Sequence, residues 1–136
     1  MAVSMSITYD GALRCSLVHG PSGTTIGTDA PKDNEGKGEL FSPTDLVGAA
    51  LLSCAVTTMA LKAPKDGIPF AHAAGRVTKE MTTTAPRKIA KLTLEIELPA
   101  TLDAKQRARL EEVSRTCPVA LTLSPDVHVD MRFLYR

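Results

Sequence analysis

The 136-residue sequence predicts a single domain of mixed α and β structure, antiparallel strands together with two helices. Three observations carry this. Apolar and polar residues alternate over residues 3–10, 12–19 and 89–98, the period of half-buried strands. Residues 42–62 are apolar nearly all the way round a helical wheel. A second helical stretch after Asp103 has one apolar side and one charged side.

Taken in order, the two N-terminal strands are followed by a turn at Pro21-Ser22-Gly23. The β-branched run Thr24-Thr25-Ile26-Gly27-Thr28 then returns as a third strand, which makes an antiparallel meander. Residues 29–39, dense in Pro, Gly, Asn and charge and without apolar period, read as a solvated loop. A helix start follows. Ser42 suits the N-cap, Pro43 the first helical position, and Asp45 the first turn, where the helix dipole favours negative charge.

The helix runs to about Lys62. It carries Leu46, Val47, Leu51, Leu52, Ala55, Val56, Met59 and Leu61, so burial on every side is expected. A membrane span is disfavoured, because Ser53, Thr57 and Thr58 interrupt an apolar stretch already short of the usual ~20 residues. After the break between Pro64 and Pro69, residues 70–81 and 89–98 read as strands. In the second, Ile89, Lys91, Thr93, Glu95 and Glu97 face one way and Ala90, Leu92, Leu94, Ile96 and Leu98 the other. This is the pattern of an antiparallel sheet with one wet face.

Asp103 with Gln106 forms a capping-box variant, Leu110 and Val113 mark the inward side of the second helix, and Pro118 ends it at Cys117. Residues 127–135 alternate again and close the chain as a strand. No linker divides the sequence, so residues 1–40, 42–62 and 70–136 belong to one domain.

Composition excludes several functions. A net charge of +1 gives no field to attract nucleic acid or an anionic membrane, and without Trp there is little to stack on bases. The start MAVSMSITYD has neither a basic cluster nor a long apolar run, so a cytoplasmic protein is expected. Three cysteines in that compartment leave catalysis, metal binding or burial as explanations.

Cys54 sits in the most apolar helix. There it is either a small buried hydrophobe or a reactive thiol that needs a nearby cation or hydrogen-bond donor. Cys117 precedes Pro118 and can cap a short helix, a place that favours a thiolate, or it can simply fill a turn. The two are 63 positions apart, which does not say whether they meet, and Cys15 is a third candidate. Zinc is disfavoured: there is no Cys-x-x-Cys, and His19, His72 and His128 are scattered. There is no Gly-x-Ser-x-Gly, and Gly36-Lys-Gly lacks the phosphate-loop spacing.

Several blocks together resemble the OsmC/Ohr family over nearly the whole chain. They are Tyr9-Asp-Gly with Leu13-Arg-Cys, Ser42-Pro-Thr-Asp-Leu-Val-Gly-Ala-Ala-Leu-Leu-Ser-Cys, Pro86-Arg-Lys-Ile and Cys117-Pro-Val. The Pro-Arg-Lys-Ile block points to its small OsmC-like branch. The resemblance implies an α+β fold, with two long helices against curved antiparallel sheets, and an intertwined homodimer with two active sites at the interface. It implies a thiol-dependent peroxidase in which Cys54 attacks the peroxide and Cys117 resolves the sulfenic acid as a disulfide. No metal or organic cofactor is implied. The reductant would be a dithiol, with lipoyl groups or a lipoylated protein as precedent, and the apolar setting of Cys54 suits an organic hydroperoxide.

The family also uses an Arg near the N-terminus, held by an acidic residue near the start of the central helix, to stabilise the thiolate. Arg14 is the Arg this implies. The family's Glu stands ten residues before the attacking Cys, where this chain has Thr44, and Asp45 follows, turned by about 100° on a helix. Asp45 would therefore orient Arg14 or serve the helix dipole. Two readings from other classes stay open on the same fold: a non-catalytic small-ligand-binding module, suggested by the missing Glu, and a redox sensor.

Overall fold

The computed structural model describes residues 1–136, which form two compact units, Met1–Val47 and Gly48–Arg136. The first unit holds the expected meander, β1 (Met5–Gly11), β2 (Arg14–His19) and β3 (Thr25–Asp29), in the order β1-β2-β3 with both pairs antiparallel. The β2–β3 turn is closed by the His19 N–H on the Thr24 carbonyl (2.8 Å) and the Gly23 N–H on the His19 carbonyl (2.7 Å). That turn sets a register in which Arg14 lies directly opposite Asp29. Met5, Ile7 and Tyr9 share one face of β1, and all three are exposed.

The segment after β3 corrects one expectation. Asp29 is not loop but the last residue of β3, and it is only 1% exposed. Its N–H donates to the Phe41 carbonyl (3.1 Å), so the chain beyond it folds back instead of running free in solvent. Gly36 permits the fold-back, since a Cβ there would lie 1.8 Å from the Ala30 carbonyl oxygen. Helix α1 (Pro43–Lys62) starts as expected. The Asp45 N–H donates to Ser42 Oγ (3.0 Å), and the Ser42 N–H donates to Asp45 Oδ2 (2.9 Å), a reciprocal cap.

In the second unit α1 departs from the all-round burial expected of it. Only Gly48, Leu51, Ala55 and Met59 are buried, a single stripe at spacings of three and four. The reason is what the stripe rests on. Gly48 abuts Leu92 and Val77, and Leu52 reaches Gly75, so one side of the helix lies on strands β4 (Ala74–Met81) and β5 (Ile89–Leu98). By length and composition alone the Pro43–Asp66 stretch is apolar enough to cross a membrane, a test that the core helix of a soluble protein also passes.

The second sheet has the order β4-β5-β6, with β6 spanning His128–Tyr135. Antiparallel pairing was expected throughout; β4 and β5 obey it, but β5 and β6 are parallel. The connection makes this possible. It contains α2 (Ala104–Arg115) and α3 (Pro118–Thr122), long enough for the crossover that a parallel pair requires.

Leu92, Leu94, Ile96 and Leu98 are buried as expected, facing Val129, Met131, Phe133 and Tyr135 of β6 in register. On the wet face Glu95 pairs with Arg76 (3.1 Å) and Glu97 with Arg136 (3.3 Å). Ile89, expected on that face, is buried instead. Glu80 pairs with Lys91 and Met81 with Ile89, so Ala90 is an extra residue, and this bulge turns Ile89 inward.

Candidate thiol site

Cys54 lies next to the buried stripe of α1 and is half-buried. One turn later, Thr58 places its Oγ1 at 3.9 Å from the Cys54 sulfur. Cys117 comes from the junction of α2 and α3. There α2 ends with the Thr116 N–H on the Val113 carbonyl (3.3 Å), and Pro118 opens α3 with Cys117 as its N-cap residue.

The two thiols meet. Burial, foremost, pushes the Cys117 thiol above the usual thiol range; the Ala120 N–H at the start of α3 opposes this, and the Cys54 sulfur, by hydrogen bond and charge, adds to it. Cys117 is fully buried, so at neutral pH it keeps its proton and can present it to Cys54. The pair thus sets a half-buried cysteine beside a fully buried, protonated one. All three cysteines are free thiols. Cys15, half-buried on β2, lies opposite Tyr9 and Thr28 in the other unit.

Arg14 is held by two carboxylates. Its Nη2 lies 3.4 Å from Asp29 Oδ2 and 3.1 Å from Glu39 Oε1, and the same Asp29 oxygen accepts the Glu39 N–H (3.1 Å). The Glu39 N–H, first, and then the Arg14 charge hold the Asp29 carboxyl below its usual range, against the opposing effect of burial. Its other oxygen, Oδ1, is buried without a hydrogen-bond partner. The Asp45 carboxylate caps α1 through the Ser42 N–H. No group of three or more His, Cys, Asp or Glu side chains is arranged to hold a metal ion.

Asp29, Glu39 and Thr58 were not singled out by the sequence. Counting equally outward from Pro21-Ser22-Gly23 pairs Arg14 with Ala30, so the sequence carries no direct signal for Asp29; the register set by the His19–Thr24 bond moves the pairing by one residue. Because the folded-state pKa of Asp29 lies below its unfolded value of about 4, its ionised form contributes stability in full above that value. The contribution fades as the pH falls through the lower, folded value. Asp29→Asn is therefore expected to destabilise the protein at neutral pH, with the gap to the parent narrowing below about pH 4. Urea melts at about pH 7 and about pH 3 test this, and an equal gap at both overturns it.

Residues 36–132 match the family described as OsmC-like protein. Among solved structures, a Psychrobacter arcticus protein described as a candidate osmotic stress induced and detoxification response protein is 38% identical. The match covers 98% of this chain and 96% of that one, with a TM-score of 0.90. An organic hydroperoxide resistance protein OsmC from Legionella pneumophila (13% identity, 98% and 97% covered, TM-score 0.80) shares the fold. So does an organic hydroperoxide resistance protein from Elizabethkingia anophelis (13% identity, 100% and 97% covered, TM-score 0.82). No match was found among curated proteins. With more than half of its length matched and a relative of this identity across nearly all of it, the chain belongs to the OsmC-like protein family.

Proposed function

We propose that the protein reduces organic hydroperoxides through its paired thiols. The observation that carries this is the contact of a half-buried Cys54 with a fully buried Cys117. The Cys54 thiolate attacks the distal peroxide oxygen, the O–O bond breaks, and the alkoxide leaves as an alcohol after taking a proton. Sulfur has then lost two electrons and become a sulfenic acid. Cys117 attacks it, the S–S bond forms, and the hydroxyl departs as water. A dithiol, such as a reduced lipoyl group on a protein, returns the two electrons by thiol–disulfide exchange.

The family resemblance gives Arg14 the role of stabilising the thiolate and Asp45 that of the acidic group near the helix start. It also gives the protein a homodimeric state. Exposed Met5, Ile7 and Tyr9 on one face of β1, with the apolar sides of α1 left open around its buried stripe, support a second copy as their cover. One experiment tests both. After one equivalent of an organic hydroperoxide, mass spectrometry is expected to find Cys54 joined to Cys117, and a dithiol to reverse the bond; an unmodified Cys54 overturns the peroxidase reading. Native spectra of the same sample are expected at twice the chain mass, and a single-chain mass removes the dimer.

A further inference from the structure

We propose that Thr58 is a positioning residue for Cys54, its hydroxyl donating to the sulfur so that the thiolate is stabilised and aimed from within α1. The inference rests on Cys54 being the attacking thiol.

Threonines in or at the ends of the helices differ in what they bond, and Thr44 Oγ1, in the first turn of α1, meets Ser42 Oγ (3.2 Å). Thr116 Oγ1 donates to the Glu112 carbonyl (3.1 Å) and Thr122 Oγ1 to the Pro118 carbonyl (2.7 Å), the back-bond to position i−4 usual for Thr in a helix. For Thr58 that position is Cys54 itself, yet its hydroxyl contacts the side chain, Sγ to Oγ1 at 3.9 Å. Thr is a mediocre helix former, and its neighbour Thr57 faces solvent. A second Thr turned toward the thiol, with no back-bond to satisfy it, is accounted for by the sulfur.

The chemistry follows from what each neighbour can donate. In the Gly48–Arg136 unit Cys117, which burial keeps protonated, is a titratable group that interacts with the Cys54 sulfur. The hydroxyl of Thr58 is a second donor, and it carries no charge and does not titrate. Donors to the charged form of an acid favour that form. A contact of 3.9 Å to a thiol is loose, and it is expected to tighten once the sulfur carries charge. Cys117 loses its proton when it resolves the sulfenic acid, whereas the Thr58 donor is unchanged through the cycle.

The test uses the whole protein and reads the pH dependence of iodoacetamide alkylation on the Cys54 peptide, which requires no peroxide. Thr58→Val keeps the shape and removes the hydroxyl. It is expected to move the alkylation midpoint up by about one pH unit and to slow the reaction at neutral pH about tenfold. Thr58→Ser should recover the parent rate to within about twofold, and Thr57→Val should leave the profile in place. A Thr58→Val profile that superimposes on the parent overturns the inference. So does a Thr58→Ser profile displaced as far as that of Val, since the methyl group would then be what matters. Should the Val variant not fold, Thr58→Ala removes the same hydroxyl and is read the same way. Peroxide consumption is measured separately: a shifted profile in a protein inert to peroxide keeps Thr58 and removes the peroxidase reading, and turnover with an unshifted profile does the reverse.

Discussion

Replacing Cys54 by Ser is expected to lower the rate of organic hydroperoxide consumption by at least about a thousandfold, because a hydroxyl near neutral pH offers almost no nucleophilic anion. Cys117 is not placed to take over. It is fully buried, and burial holds its proton on. Cys117→Ser should behave differently, completing the first oxidation and consuming about one equivalent of peroxide before stalling. Without a resolving thiol the sulfenic acid is open to further oxidation, so sulfinic acid should build up on Cys54 with excess peroxide. Peroxide assays with a dithiol donor and peptide mass spectrometry read both effects. A Cys54→Ser protein retaining a tenth of the parent rate would place the chemistry on another thiol, with Cys15 the one to examine.

The largest effect on stability is expected at Leu94. It is fully buried on β5, the central strand of the second sheet, opposite Val77 on β4 and Met131 on β6. Strand neighbours on both sides leave little freedom to collapse around a void, so Leu94→Ala should cost ~3 kcal/mol, the lost transfer energy plus the cavity. For a chain of this length that lowers the melting temperature by roughly 10 °C. Thr93, the preceding residue, faces the wet side and pairs with Thr78 and Asp130. Thr93→Ala should stay within about 0.5 kcal/mol of the parent. Thermal melts of the two side by side test the alternation itself, and similar shifts would mean the faces of β5 are wrongly assigned.

That alternation was legible because it is local. The period of two over residues 91–98 and the capping residues Ser42, Asp45, Asp103 and Gln106 act within a few positions of themselves, and the structure places them as the sequence implies. Ile89 was misread because one extra residue, Ala90, reverses the phase, and a bulge leaves no mark on hydropathy. The direction of β6 was misread for a related reason. Its residues alternate equally well in either direction, and only the length of the α2–α3 connection distinguishes them.

The site divides along the same line. The residue blocks around Cys54 and Cys117 could be recognised, but their meeting depends on where a 63-position excursion returns. Asp29 looked like loop because its neighbours Pro31, Lys32 and Asp33 are loop-like. Its burial is set by β2 across the hairpin and by Phe41, which accepts its N–H. Thr58 was read only as an interruption of an apolar helix, when its spacing of four from Cys54 already put the two on one face.

The parallel pairing of β5 and β6 carries a further consequence. A chain that must re-enter the sheet in the same direction has to travel back along its length, and Cys117 rides on that return path. A covalent tie from Cys117 to Cys54 would lock the return path to the central helix and enclose β4, β5 and α2 in one ring. Closing a ring of this size removes about 4 kcal/mol of chain entropy from the unfolded state. Peroxide would then leave behind a protein harder to unfold than the one it met, and the reducing partner would have to work on a molecule at its most rigid.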